Sequence, residues 1–206
     1  MHNTSLNGTC LSKTAAIVLL AGFAGSAAAH TGHGTESFFT GLAHPFGLDH
    51  LLAMVAVGLW SVFALPARRA WAGPATFLVA LAAGAWVGAG GVESRLLEPA
   101  IAASVVVFGA LLLAVAMRKS VPAAAGLALV SAAAALHGLA HGAEAAGGTG
   151  FAAYAAGFML TSAALHLGGM LAGVSLRRWL AERAMQAVAG LGLVCGGTGL
   201  ALLLSI

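Results

Sequence analysis

The sequence predicts an all-α protein: a polytopic membrane helix bundle, with six transmembrane helices after a cleavable signal peptide. Three observations predict it. Hydrophobic residues fill 60% of 206 positions and charged residues only 7%. A soluble domain carries about 25% charged residues, so this chain cannot cover a water-facing surface. Alanine, leucine, valine and glycine dominate, the residues of helices that pack closely in lipid, and the alternation that a β-barrel needs is missing. The apolar residues also fall into runs long enough to cross a hydrocarbon core of roughly 30 Å. The net charge of +3 is too small for a nucleic-acid partner, and its basic residues cluster in short loops.

Residues 1–29 read as a secretory signal. Lys13 precedes an apolar stretch, Thr14 to Gly25, followed by Ser26-Ala27-Ala28-Ala29. That small-residue run fits cleavage before His30, and the stretch is short for a span of roughly 20 residues. Cys10 leaves with the signal, so Cys195 stands without a partner, and no disulfide or cysteine metal site is expected. The mature part, 30–206, is one membrane domain. Its spans run at about 44–65, 74–92, 97–117, 122–143, 151–176 and 184–205.

Arg68 and Arg69 follow the first span, Arg118 and Lys119 the third, and Arg177, Arg178 and Arg183 lie between the fifth and sixth. The alternate loops hold Arg95 beside Glu93 and Glu98, and the uncharged Gly147-Gly148-Thr149-Gly150. Positive loops stay inside, which puts both mature ends outside, as export of residue 30 also requires. The expected location is the bacterial inner (cytoplasmic) membrane. Small-xxx-small pairs recur at Gly84/Gly88, Gly138/Gly142, Gly169/Gly173 and Gly192/Gly196, where helix backbones can approach closely. No phosphate-binding loop or dinucleotide fingerprint is present.

An ionisable side chain inside a membrane is costly, so each is a candidate for function. At the outer end of the first span lies His44-Pro45-Phe46-Gly47-Leu48-Asp49-His50, with Met54 one turn on. Imidazole and carboxylate together suit a divalent transition metal. Asp49 lies about 100° round the helix from His50, so it either ligates directly or orients a ligand from behind. Near the outer end of the fourth span, His137, His141 and Glu144 are spaced i, i+4, i+7 and share one stripe. Two imidazoles one turn apart form a chelate spacing. His166, flanked by Ser162 and Met170, sits deeper. His50 and His137 are each about six or seven residues from the outer end of their helices, so at about 1.5 Å per residue their motifs lie at similar depth and can converge. His30 and His33 form a polar leader able to gather metal loosely. The plainer account of these groups is a capped helix start, a helix–helix hydrogen bond at His166 and a solvated leader.

At these residues the chain resembles the HupE/UreJ family of nickel permeases. The likeness rests on the His44–His50 segment running into Leu51-Leu52-Ala53-Met54-Val55-Ala56-Val57-Gly58, and on His137-Gly138-Leu139-Ala140-His141-Gly142-Ala143-Glu144. The resemblance covers the whole chain and implies inward transport of Ni²⁺ for the maturation of nickel enzymes such as hydrogenase and urease. It implies no permanently bound cofactor: Ni²⁺, or Co²⁺, is the cargo, and nickel-enzyme maturation proteins are candidate partners beside the lipid. The family pattern has one more residue between the proline and glycine of the first motif. Here the spacing is His-x4-Asp-His, as in the broader nickel/cobalt transporter signature. Losing one residue turns His44 by about 100° relative to Asp49 on a continuous helix. Phenylalanine is common in the family where Leu136 stands.

On this reading Glu144, His44 and the leader capture the ion, His50, His137 and His141 hold it with Asp49, and His166 passes it inward. Mixed imidazole, carboxylate and thioether donors release an ion more readily than four thiolates would, as transport requires. Two other chemistries fit the same residue types. One is an intramembrane zinc hydrolase, with an open position on the metal for water. The other is a b-type haem protein with axial histidines from two helices.

Overall fold

A computed structural model describes residues 37–92, 94–144 and 150–206. The proposed signal peptide, His30, His33, Glu93 and the loop at 145–149 lie outside the described residues. The described chain is helical with no strand. It runs α1 (Phe38–Ala43), a 3-10 turn (His44–Phe46), α2 (Leu48–Ala64), a second 3-10 turn (Ala67–Arg69), α3 (Ala72–Gly88), α4 (Leu97–Ala116), α5 (Ala123–Glu144), α6 (Phe151–Trp179) and α7 (Ala181–Ser205). Five helical stretches are long and apolar enough to cross a membrane: Ala67–Gly88, Leu97–Ala116, Ala123–Glu144, Phe151–Trp179 and Ala184–Ser205. A sixth is the pair Phe38–Phe46 and Leu48–Ala64, taken as one span bent by 74°.

The distribution of polarity is that of a protein dissolved in lipid. The outward faces carry Val79, Trp86, Leu160, Leu167, Leu171 and Leu204, while His50, His137, His141, Ser162 and His166 are buried. Exposed Trp71, Trp86 and Trp179 stand near helix ends, where aromatic rings favour the headgroup level.

Glycine pairs decide which helices touch. A Cβ on Gly84 would collide with the Ala135 carbonyl, on Gly88 with that of Leu139, on Gly138 with that of Leu81 and on Gly142 with that of Ala85. The pairs expected on the second and fourth spans thus face each other across the α3–α5 seam. Gly109 meets Gly192 and Gly196 between α4 and α7, and Gly58 and Gly169 close α2 on α6. Glycine costs helix propensity, but in lipid, where apolar burial between helices gains little, backbone contact supplies the packing.

The first span differs most from the expected 44–65. Its helix begins at Leu48, because Gly47 at φ −53° and ψ 141° breaks the helical path. Upstream, α1 is only six residues, too short to stand alone. A capping box starts it, Ser37 Oγ accepting from the Thr40 N–H at 3.1 Å and Thr40 Oγ1 from the Ser37 N–H at 3.3 Å. Gly41 and Gly157 then let its backbone lie on α6, and Thr161 Oγ1 donates to the Leu42 carbonyl at 2.9 Å. At its other end α2 runs into Pro66, which has no N–H to give the Val62 carbonyl. Arg177 of α6 donates to that carbonyl at 3.1 Å, and its guanidinium also lies 6.0 Å from the Phe63 ring centroid.

Candidate metal centre

The break at Gly47 decides the geometry of the site. On a continuous helix His44 would be turned away from Asp49. The 3-10 turn instead swings the His44 ring to 5.2 Å from that of His50 and 4.5 Å from that of His141 (centroid to centroid). His44, His50 and His141 each offer one ring nitrogen to a cluster in which these atoms lie within 4.8 Å of one another. Three segments converge here: the 3-10 turn, the first turn of α2 and the last turn of α5.

Each motif residue beside this cluster has a definite partner. Asp49 Oδ1 lies 2.8 Å from His50 Nδ1. A carboxylate accepts, so Nδ1–H donates and the lone pair of a neutral His50 falls on Nε2. Glu144 Oε2 lies 3.3 Å from His141 Nδ1, which leaves the His141 lone pair on Nε2 as well. These two Nε2 atoms face each other at 2.5 Å across buried surroundings. Two lone pairs so close repel; a shared proton fits this distance as it stands, and a metal ion, with metal–imidazole bonds of about 2.0–2.1 Å, is ligated by both once the two rings draw slightly apart. Tyr154 and Phe158 of α6 wall the cluster: the Phe158 ring is 5.0 Å from His141 and 5.5 Å from His44, and Tyr154 is 5.8 Å from His44.

The glycines of the second motif now have a spatial meaning. His137 and His141 point into the bundle, while Gly138 and Gly142, one residue on, face α3 and admit its backbone. The motif therefore holds one face for ligands and one for contact.

Not every expected residue joins the cluster. His137, one turn deeper, has its ring 5.0 Å from that of His50, but its Nε2 meets Ser104 Oγ of α4 at 2.8 Å. His166 lies apart, beside Phe77 at 4.7 Å. Its Nδ1–H donates to the Ser162 carbonyl at 2.7 Å, and its buried Nε2 has no hydrogen-bond partner among the described residues. Met54 packs in the apolar core, and the Met170 backbone lies at the Gly58 crossing. Glu98, grouped above with the loop acids, lies in the first turn of α4. There it shares with Glu144 and Arg95 a cleft of about 540 Å³. Sequence reasoning also missed Ser104, Tyr154, Phe158 and Phe77. A lone serine in an apolar span was the available signal for the first, and apolar periodicity hides the aromatics.

Comparison with known proteins agrees with the motifs. The profile described as "HupE / UreJ protein" matches residues 18–202. A curated relative, "Protein HupE" of Rhizobium leguminosarum bv. viciae, is 35% identical over 173 residues, which is 84% of this chain and 88% of the relative. No solved structure matches the chain.

Proposed function

The chain belongs to the HupE/UreJ family, and on that premise we propose that it is a permease for a divalent transition-metal ion, carrying Ni²⁺ into the cytoplasm for the maturation of hydrogenase or urease. The observation that carries the reading is the pair of facing Nε2 atoms on His50 and His141, each with a carboxylate behind its Nδ1. A carboxylate behind an imidazole fixes the tautomer and raises the basicity of the ligating nitrogen. With His44, three neutral imidazoles present a borderline-soft donor set of the kind that nickel, cobalt and zinc accept.

In the proposed cycle the ion enters through the cleft of Glu98 and Glu144, whose charges attract cations. The leader residues His30 and His33 assist capture. His44, His50 and His141 hold the ion, with Asp49 and Glu144 behind the second and third. His137 and then His166 pass it towards the inner side. Met54 and Met170 remain secondary donors near the route. Orientation follows the charges: Arg68, Arg118 and Arg177 lie at the end of the bundle opposite the cluster and face the cytoplasm, so the cluster faces outward in the inner membrane. Ni²⁺ and Co²⁺ are both accommodated by these donors, and partner proteins that mature nickel enzymes would receive the ion.

Two features favour transport over the rival chemistries. A zinc hydrolase needs a carboxylate placed as base towards metal-bound water, and Asp49 and Glu144 are both turned to imidazole Nδ1 atoms. A haem needs room for a flat macrocycle between its axial ligands, whereas these imidazole rings stand 4.5–5.2 Å apart. The test is uptake into proteoliposomes, comparing Ni²⁺, Co²⁺ and Zn²⁺ at low concentration. Saturable Ni²⁺ entry, lost in His50→Ala, is expected; entry no faster than in protein-free vesicles refutes the reading.

A further inference from the structure

Ser104 is buried within an apolar stretch of α4, and its hydroxyl makes two short contacts. Oγ donates to the Ile101 carbonyl at 2.6 Å and lies 2.8 Å from His137 Nε2. A hydroxyl has one proton to give. The carbonyl oxygen can only accept, so that proton is committed, and Oγ meets Nε2 as an acceptor. Nε2 must then carry its own proton, and a neutral His137 has its lone pair on Nδ1. The other three buried histidines show the reverse. His50 and His141 donate from Nδ1 to carboxylates, and His166 donates from Nδ1 to a backbone carbonyl. One histidine in four is therefore turned over, and a serine from another helix turns it.

The exception has a special position. The His137 ring is 5.0 Å from that of His50 on one side and 6.4 Å from Phe77 on the other, and Phe77 is 4.7 Å from His166. His137 thus stands between the three-histidine cluster and His166. Its Nε2, held on Ser104, cannot serve as a fourth ligand to that cluster.

We propose that Ser104 is a positioning residue that holds His137 as the Nε2–H tautomer, so that Nδ1 receives the cation as it leaves the His44–His50–His141 cluster. The role for Nδ1 rests on the transport reading; the tautomer does not. A serine bonded back to a carbonyl one turn earlier is common in membrane helices and bends them slightly. Such a serine alone would leave the His137 tautomer indifferent to its loss.

The experiment pairs ¹⁵N NMR of the histidine rings in full-length protein in nanodiscs with Ni²⁺ uptake. His137 is assigned by its disappearance in His137→Gln. Wild type should show His137 protonated at Nε2. Ser104→Ala should lose that preference and slow maximal uptake on the order of tenfold, the scale of losing a partner behind a ligand, with half-saturation little changed because the outer cluster is untouched. Ser104→Thr keeps a hydroxyl able to bond the same carbonyl and should restore both readouts. A wild-type His137 protonated at Nδ1 overturns the proposal whatever the Ser104 variants do. So does Ser104→Ala with an unchanged tautomer, or with uptake within twofold of wild type at equal membrane level. Absence of uptake by the wild type refutes the transport reading, and the role of Nδ1 with it.

Discussion

The two carboxylates behind the cluster are chemically alike, but the structure ranks them. Asp49 is 2.8 Å from His50 Nδ1 with its side chain 11% exposed, whereas Glu144 is 3.3 Å from His141 Nδ1 and 31% exposed. A charge-assisted hydrogen bond is strongest when short and dry, and solvent screens the longer, wetter one. Losing a partner behind a metal ligand costs about 10- to 100-fold in affinity or activity, or about 1.4–2.8 kcal/mol. Asp49→Asn belongs near the upper end of that range and Glu144→Gln near the lower. Both amides keep an oxygen that can accept from Nδ1, so the tautomer survives and only the charge is lost. The assay is initial Ni²⁺ uptake against concentration, at matched protein level in the membrane, with the loss read as a raised half-saturation. A Glu144→Gln defect as large as that of Asp49→Asn, or both within twofold of wild type, would refute the ranking and the idea that these acids act through the imidazoles.

Other consequences follow from single contacts. His50→Ala and His141→Ala should each abolish uptake and their combination should be no worse, because ligands of one site act as a unit; two partial defects that add would mean separate sites. Gly138→Leu should prevent accumulation of folded protein, since its Cβ already meets the Leu81 carbonyl, while Gly190→Leu, with open space around it, should be tolerated; immunoblotting of membranes distinguishes them. Arg177→Met should lower stability by about 1 kcal/mol, the net worth of one part-buried hydrogen bond, here to the Val62 carbonyl; an unchanged thermal midpoint in detergent would contradict that role for the contact. A periplasm-dependent reporter fused after Ile206 should be active, and silence there would break the proposed topology.

Much of this architecture was legible in the sequence for specific reasons. Helix spans follow from hydrophobic runs, because every backbone polar group in lipid must bond within its own helix. The His137–His141–Glu144 stripe follows from helical periodicity, and the glycine pairs announce seams without saying which face which. What remained hidden depends on tertiary context. The break at Gly47 is one residue leaving helical φ/ψ, held there by α1 lying on α6, and it alone decides that His44 meets His50. Glu98 was read as a loop residue, because a helix start in an acidic, arginine-containing stretch looks like a turn. Ser104 comes from a helix without a candidate ligand and Phe158 lies two turns from His166 on its helix, so only packing reveals them.

The central claim, that His44, His50 and His141 form one cation site, is open to X-ray absorption of purified protein loaded with Ni²⁺. The account predicts a nitrogen- and oxygen-only shell with the multiple-scattering signature of three imidazoles, falling by one in each of the three histidine-to-alanine variants. A sulphur scatterer in the shell, or an imidazole count unchanged by all three substitutions, would contradict it.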